Sequence, residues 1–323
     1  MRTAIAGVVA TAMLALAIPA QAADEVSLRT DWIKSAYHAV WYHAKDKGIF
    51  AKNGIDIDIR DGRGSVITAQ TVGNKTVTFG TADGGAVMVL VSKGLPVKIV
   101  ASYLRTNPVA IIFPEKNGWK SWKDLAGSRI GFSAGGATAA YFKALAKKNG
   151  IEGKVKLVFM EPAAKLAALL TAKVDGIDSF GFLQAPKATA AGIPSTYFSY
   201  ASGGIVVPGL SLIAHNDTIE ENPDLVRRMV ASVREALALG QKEPEAAIAS
   251  LLKVAPNLKP DISLDILKAS FDLFENDASK GKPSGWTSPD DIAKAQKTLI
   301  EFKRIKKEQP IDAYFTNAFV PKS

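Results

Sequence analysis

Ile55-Asp56-Ile57-Asp58-Ile59 alternates apolar and acidic residues without a break, Asp61-Gly62-Arg63-Gly64-Ser65 follows it as a turn, and Val66 to Val72 then reads as a helix. Successive side chains of a strand point to opposite faces, so strict period two marks a strand with one face buried. Glycines after such a run supply the backbone freedom of a turn. Strand, turn and helix make half of a βαβ unit, and the same rhythm extends in both directions. Upstream, Val26-Ser27-Leu28-Arg29-Thr30 alternates like a strand, and the stretch from about Tyr37 to Asn53 reads as a helix stopped by Gly54. Downstream come a strand at Val77-Thr78-Phe79, a helix from Ala86 to Ser92 and a strand from Val97 to Val100. Strands alternating with helices imply right-handed βαβ units and a mostly parallel sheet.

The rhythm then repeats. Strands are expected at Val109 to Phe113, Arg129 to Phe132, Val155 to Met160, Gly176 to Phe180, Tyr197 to Tyr200 and Leu210 to Ala214. Between them lie a short capped helix at Ser121 to Leu125, a helix from Thr138 to Lys148, and one begun by Pro162 that ends before Gly176. Beyond Asn216 the character changes. Asn222-Pro223-Asp224 opens a long amphipathic helix through about Leu239, which Gly240 is expected to stop, and further helices follow to about Arg304. Two α/β runs with a helical tail predict two lobes, with one larger α/β domain as the alternative. The first lobe is expected to be discontinuous, 23–110 with 208–323, and the second to be 111–207. Crossings between them are placed near Asn107 to Phe113 and near Ser202 to Leu210, where Gly or Pro mixes with apolar residues.

Arg2, the apolar run from Ala4 to Pro19 and the small-x-small end Ala20-Gln21-Ala22 read as a secretion signal over 1–22. No Cys stands at the cleavage region, so lipid anchoring is not expected, and the mature chain should be soluble outside the cytoplasm. Cysteine is absent throughout. That removes disulfides, thiolate metal sites and cysteine nucleophiles, and leaves stability to a hydrophobic core. The net charge is +9, carried mostly by scattered lysines. No basic stripe interleaved with aromatics accompanies it, so nucleic acid is not an expected partner. The excess reads as a solvated basic face.

Asp31-Trp32, His38-Ala39, Tyr42-His43-Ala44 and Lys47-Gly48-Ile49-Phe50 together resemble the opening of importer binding proteins for the pyrimidine precursor of thiamine. That family belongs to a wider group with riboflavin, alkanesulfonate, taurine and nitrate binding proteins. Phe79-Gly80-Thr81-Ala82-Asp83, Lys93-Gly94-Leu95-Pro96-Val97, Trp122-Lys123-Asp124-Leu125-Ala126-Gly127, Glu221 to Val226 and Ile311 to Asn317 match the group in its order, over nearly the whole mature chain. The Pro-Asn usual between the Trp and the His is replaced here by Lys34-Ser35 and Ala36-Tyr37. The resemblance implies an α/β, two-lobed, type II-like periplasmic binding fold that closes on its ligand and needs no catalysis.

In open α/β sheets ligands bind beyond the carboxyl ends of the strands. The candidates there are Trp32, His38, Gly64, Ser65, Asp83, Gly84, Ser133, Gly135, Gly136, Thr138 and Glu161. Trp32 offers a stacking face to a flat heterocycle, or pins a strand to a helix. His38 donates to a ring nitrogen, or bonds a nearby carbonyl. Ser133 to Thr138 is a Gly-rich turn before a helix, whose N–H groups accept carbonyl-like or negative atoms; otherwise it is a tight turn. It is neither a Walker loop nor a dinucleotide fingerprint. Gly64-Ser65 and Gly84-Gly85 are smaller versions. Glu161 and Asp83 either accept from a ligand amino group or cap helices. Tyr103 and Arg105 lie where they could line the cleft mouth.

These readings favour a periplasmic solute receptor that hands its ligand to an inner-membrane ABC permease, acts as a monomer, and carries no cofactor and no metal. The favoured ligand is a planar heterocycle such as a thiamine-precursor pyrimidine. An aliphatic sulfonate, taurine or nitrate-like anion is the alternative, which Arg63 and Arg105 would favour. From another class, a fungal relative of the fold makes the pyrimidine itself with an iron site and a Cys-rich motif. This chain has no Cys, only three histidines (His38, His43 and His215) and no Gly-x-Ser-x-Gly elbow. A sensor or scaffold without an importer is the third class.

Overall fold

The computed structural model describes residues 22–133 and 138–321. The expected secretion signal, apart from Ala22, lies outside the described residues, and so do Gly135 and Gly136.

The chain opens with β1 (Asp24–Arg29), a 3-10 turn at Ala36–His38, and helices α1 (Ala39–Asp46) and α2 (Ile49–Lys52). The single helix expected over 37–53 is therefore broken. Gly48 adopts φ +72°, a left-handed backbone that ends one helix before the next begins. β2 (Ile55–Arg60) has the burial its alternation predicts, with Ile55 and Ile57 buried and Asp56 and Asp58 exposed. α3 (Ser65–Gly73), β3 (Phe79–Asp83), α4 (Gly84–Val91) and β4 (Val97–Ser102) complete the first run.

The chain then crosses to β5 (Val109–Pro114) and a 3-10 turn at Trp122–Leu125, where Ser121 and Asp124 form a capping box. β6 (Arg129–Ser133), α5 (Thr138–Lys148), β7 (Lys156–Met160), α6 (Ala164–Leu170), β8 (Gly176–Phe180), α7 (Gly181–Ala190) and β9 (Ser195–Ser199) follow. α6 starts two residues later than the sequence suggests, after a turn closed by Ala164 N donating to Glu161 O at 2.9 Å. α7 is not evident in the sequence, because it begins on a glycine and holds Pro186 inside. β10 (Leu210–His215) returns to the first run.

Two five-stranded sheets result, in the orders β2-β1-β3-β10-β4 and β7-β6-β8-β5-β9. β1 runs parallel to β2 and β3, and β6 runs parallel to β7 and β8. The mostly parallel expectation holds, with one antiparallel strand per sheet. β10 opposes β3 and β4, and β5 opposes β8 and β9. Each antiparallel strand is the one arriving from the other sheet. The chain leaves β4 and β9 at their carboxyl ends, and it enters the next sheet at that sheet's carboxyl edge, so it must run backwards through it. This topology turns the carboxyl edges of the two sheets toward each other.

The tail packs α8 (Asn216–Glu221), α9 (Pro223–Lys242), α10 (Pro244–Leu252), α11 (Pro260–Phe271) and α12 (Pro289–Glu301) around the first lobe. Gly240 does not stop α9, which runs on to Lys242. Its role is close approach: a Cβ there would lie 2.4 Å from Val40 Cγ1 on α1. Phe182 and Leu183 of α7 join Tyr37 and Leu267 in one buried apolar cluster, so the second lobe also seats against the first.

Candidate functional site

At the carboxyl edge of the first sheet, two loops lock together. Gly62 N donates to Trp32 O (3.0 Å) and Gly64 N to Asp31 O (2.8 Å). A Cβ on Gly62 would sit 1.9 Å from Thr30 O, so this approach requires glycine. Gly64, at φ +115°, then delivers Ser65 to the start of α3. The result holds Trp32 half-buried, with no aromatic ring paired to it among the described residues. Beside it Ile33 is 54% exposed, and Val66 and Ile67 are also exposed. Apolar surface is thus left open at the strand ends.

Beneath Trp32, Asp31 is 2% exposed. Its Oδ2 accepts from the Tyr37 hydroxyl (2.8 Å), and its Oδ1 meets His38 Nε2 (3.0 Å) and accepts from Thr81 Oγ1 (3.3 Å). Burial, then the Asp31 charge, raise the Tyr37 phenol well above its ordinary range. His38 is fully buried. Its partner is the carboxylate seven residues before it rather than a carbonyl, and its Nδ1 has no partner among the described residues. His38 therefore acts on the site through Asp31.

Asp83, Ser65 and Gly84 meet one another and both crossings. Asp83 N donates to Ser65 Oγ (2.9 Å), Asp83 Oδ1 caps α4 by accepting from Ala86 N (2.8 Å), and Oδ2 accepts from Asn107 Nδ2 (2.6 Å). The capping reading of Asp83 is thus correct, and the same carboxylate also ties to the first crossing. Burial pushes its pKa up to about 6. Gly84 N donates to Gly209 O (2.8 Å), and a Cβ on Gly84 would lie 2.5 Å from Pro208 Cβ in the second crossing.

In the second lobe, Ser133 ends β6 opposite Met160. The Thr138 hydroxyl donates to the Asp178 carboxylate, which also pairs with Lys165 Nζ (3.0 Å). Asp178 and Lys165 are both buried, so Thr138 belongs to an internal network. Glu161 is exposed and does not cap α6, whose first turn has no side-chain cap. Phe180, which follows a second-lobe strand, stacks with Phe182 at 6.0 Å, and Tyr37 of the first lobe meets them at 6.1 and 5.6 Å; Phe182 and Tyr37 are the residues the sequence reading missed. Their partners lie about 140 residues away in the chain, so no local pattern marks them.

Arg105 is held by the tail. It is 8% exposed, and its guanidinium donates to Ser279 O (3.1 Å) and Pro283 O (2.6 Å) of the tail. His43 and His215 are structural, bound to Ser250 and Glu243 and to the Asp217 amide. No group of three or more metal-ligating side chains occurs among the described residues.

Two α/β lobes that face each other by their strand ends, each holding one strand received from the other, define the class of periplasmic binding folds. The chain belongs to the family described as NMT1/THI5 like, whose model matches residues 35–247. It is 25% identical over 310 residues to the riboflavin-binding protein of Chloroflexus aurantiacus, covering 92% of this chain and 86% of that one. It is 22% identical over 235 residues to the formylaminopyrimidine-binding protein of Halalkalibacterium halodurans, covering 72% and 71%. The alkanesulfonate-binding protein from Xanthomonas axonopodis pv. citri bound to MOPS superposes with a TM-score of 0.69 at 14% identity, over 90% of this chain and 98% of that one. No helix among the described residues is long and apolar enough to cross a membrane.

Proposed function

We propose that the chain is the periplasmic receptor of an ABC-type importer, and that it closes on a planar amino heterocycle of the thiamine-pyrimidine kind without altering it. The lobes are read as 23–110 with 208–323 and 111–207, closing as a monomer and presenting the closed form to an inner-membrane permease. One observation carries the choice of ligand. At the first lobe's strand ends the carboxylate of Asp83 is bridged to no lysine or arginine among the described residues, and the buried Asp31 is already bonded to Tyr37, His38 and Thr81. Carboxylates accept and do not donate, so they fit a ligand rich in N–H. A sulfonate or nitrate would face like charge there; of the two arginines that would answer it, Arg105 is committed to the tail, and Arg63 is exposed on the loop beside Trp32. The half-buried Trp32 with open apolar neighbours supplies a face for a flat ring.

A thermal-shift screen tests this. Aminopyrimidines are expected to raise Tm, by about 2.7 kcal/mol of added stability at a hundred times Kd, while taurine, aliphatic sulfonates and nitrate leave it unchanged. Stabilisation by the anions alone overturns the heterocycle reading. Turnover of a stabilising pyrimidine would instead place the chain with the enzymes of this fold.

A further inference from the structure

Tyr141 stands on α5, three residues after Thr138, and is 4% exposed. Its hydroxyl has no hydrogen-bond partner among the described residues. Buried polar groups are nearly always paired, so such a group points to a partner that arrives by other means. The hydroxyl reaches across the lobe boundary to the start of α4. A side chain begun on Gly85 would meet the Tyr141 oxygen at 3.3 Å, and Asp83 Oδ1 and Val207 Cβ each at 3.2 Å. Tyr141 and Asp83 thus converge around Gly85, one from each lobe, with a crossing residue beside them.

The two groups do not satisfy each other. Asp83 Oδ1 already accepts from Ala86 N and Oδ2 from Asn107 Nδ2, and the Gly85 amide also acts on this carboxylate, which leaves it capacity for one more donor. The tyrosine keeps an unused O–H. Burial raises the pKa of both groups, and the Asp83 charge raises that of Tyr141 further. At neutral pH the pair is therefore an acceptor beside a donor.

We propose that Tyr141 is a ligand-binding residue of the second lobe, and that it reads, with Asp83, a donor–acceptor edge of the ligand. An amino group faces Asp83, and a ring nitrogen next to that amino group accepts from the Tyr141 hydroxyl. This rests on the amino-heterocycle reading and sharpens it to rings whose amino group adjoins a ring nitrogen. An aniline lacks the acceptor. Closure at Gly85 makes the recognition conditional on both lobes.

Calorimetry with two probes tests the inference: 4-amino-2-methylpyrimidine, and 3-methylaniline, which keeps the amino and methyl groups but replaces both ring nitrogens by C–H. The wild type is expected to prefer the pyrimidine by about tenfold or more. Tyr141→Phe should weaken the pyrimidine roughly five- to tenfold and leave the aniline within twofold, since one hydrogen bond is lost. A residue that only holds the fold would move both probes alike. Equal weakening of both, or pyrimidine affinity within twofold of wild type, overturns the role of Tyr141 while leaving the ligand class intact. A wild type that binds neither probe but binds a sulfonate overturns the ligand class and this inference with it.

Discussion

A tryptophan fixed at the end of a strand with one side open gains from whatever covers it. Trp32 is held by backbone bonds to its own carbonyl from Gly62 N, so its placement does not depend on its ring. Trp32→Ala should therefore weaken ligand binding by roughly tenfold or more, through lost stacking and area burial, while the unfolding midpoint stays close to wild type. Unchanged affinity in a titration would remove the ring from the site. Asp83 makes a prediction in pH. Its carboxyl is pushed up to about 6 from an ordinary value of 3.8. Between about pH 4 and 6 the folded chain keeps a proton that the unfolded chain has released, so this group lowers stability as pH rises through that window. Asp83→Asn keeps a capping oxygen and cannot ionise. The stability of the wild type relative to this variant should fall by on the order of 1–2 kcal/mol across the window, the residue being only part-buried. A difference independent of pH in urea melts would show that Asp83 ionises normally. Of these residues, Trp32 and Asp83 are legible in the sequence because strand ends are. His38 is legible too, but not its pairing with the carboxylate seven residues before it; Tyr141 is not legible, because what it meets is set by how the chain folds over itself.

At the level of elements, sequence patterns locate strands well and helix ends less well. β2 follows its alternation residue by residue, since one buried face enforces period two. Gly48 and Gly240 show where such reading fails. Both are glycines in helical surroundings, yet one breaks the helix at φ +72° and the other sits inside α9 with Val40 Cγ1 2.4 Å from where its Cβ would be. For Gly240 the neighbouring helix α1 decides, while nothing lies within 4 Å of where a Cβ on Gly48 would stand. Gly240→Ala gains about 1 kcal/mol of helix propensity but forces apart α9 and α1, at about 1–3 kcal/mol of overpacking against a stiff valine. A net loss of stability in urea unfolding is expected. A more stable variant would show that α1 and α9 can separate freely. α7 is hidden for a related reason: it opens on a glycine and contains Pro186, while its Phe182 and Leu183 are fixed by the first lobe's core.

For the whole molecule, the two crossings decide how the lobes move. Tyr103 N and Leu104 N both donate to Leu210 O, and Arg105 N donates to Leu273 O at 2.7 Å, so the first crossing is bound to the first lobe as far as Arg105. The second is gripped where Gly209 passes Leu104, with only 2.2 Å between a would-be Cβ and the Leu104 carbonyl. Thr106 N also donates to Leu273 O, and Asn107 Nδ2 is held by Asp83 and Pro208 O, so bending is expected at Pro108 and at the residues before Pro208, as in hinge closure. Ligand should lower the radius of gyration in small-angle scattering, and curves that do not change on saturation would rule out closure.

The residue pattern alone determined the alternation of strands and helices, the change to a helical tail, and the strand ends where a ligand would sit, because periodicity and turn chemistry act within a few residues of the chain. The tertiary structure decided which strand runs backwards in each sheet, which glycine breaks a helix and which admits a neighbour, and which side of the molecule Arg105 serves. Apart from the break at Gly48, those outcomes depend on contacts between segments distant in the chain, such as Asp83 with Asn107 and Asn107 with Pro208, and no local pattern carries them.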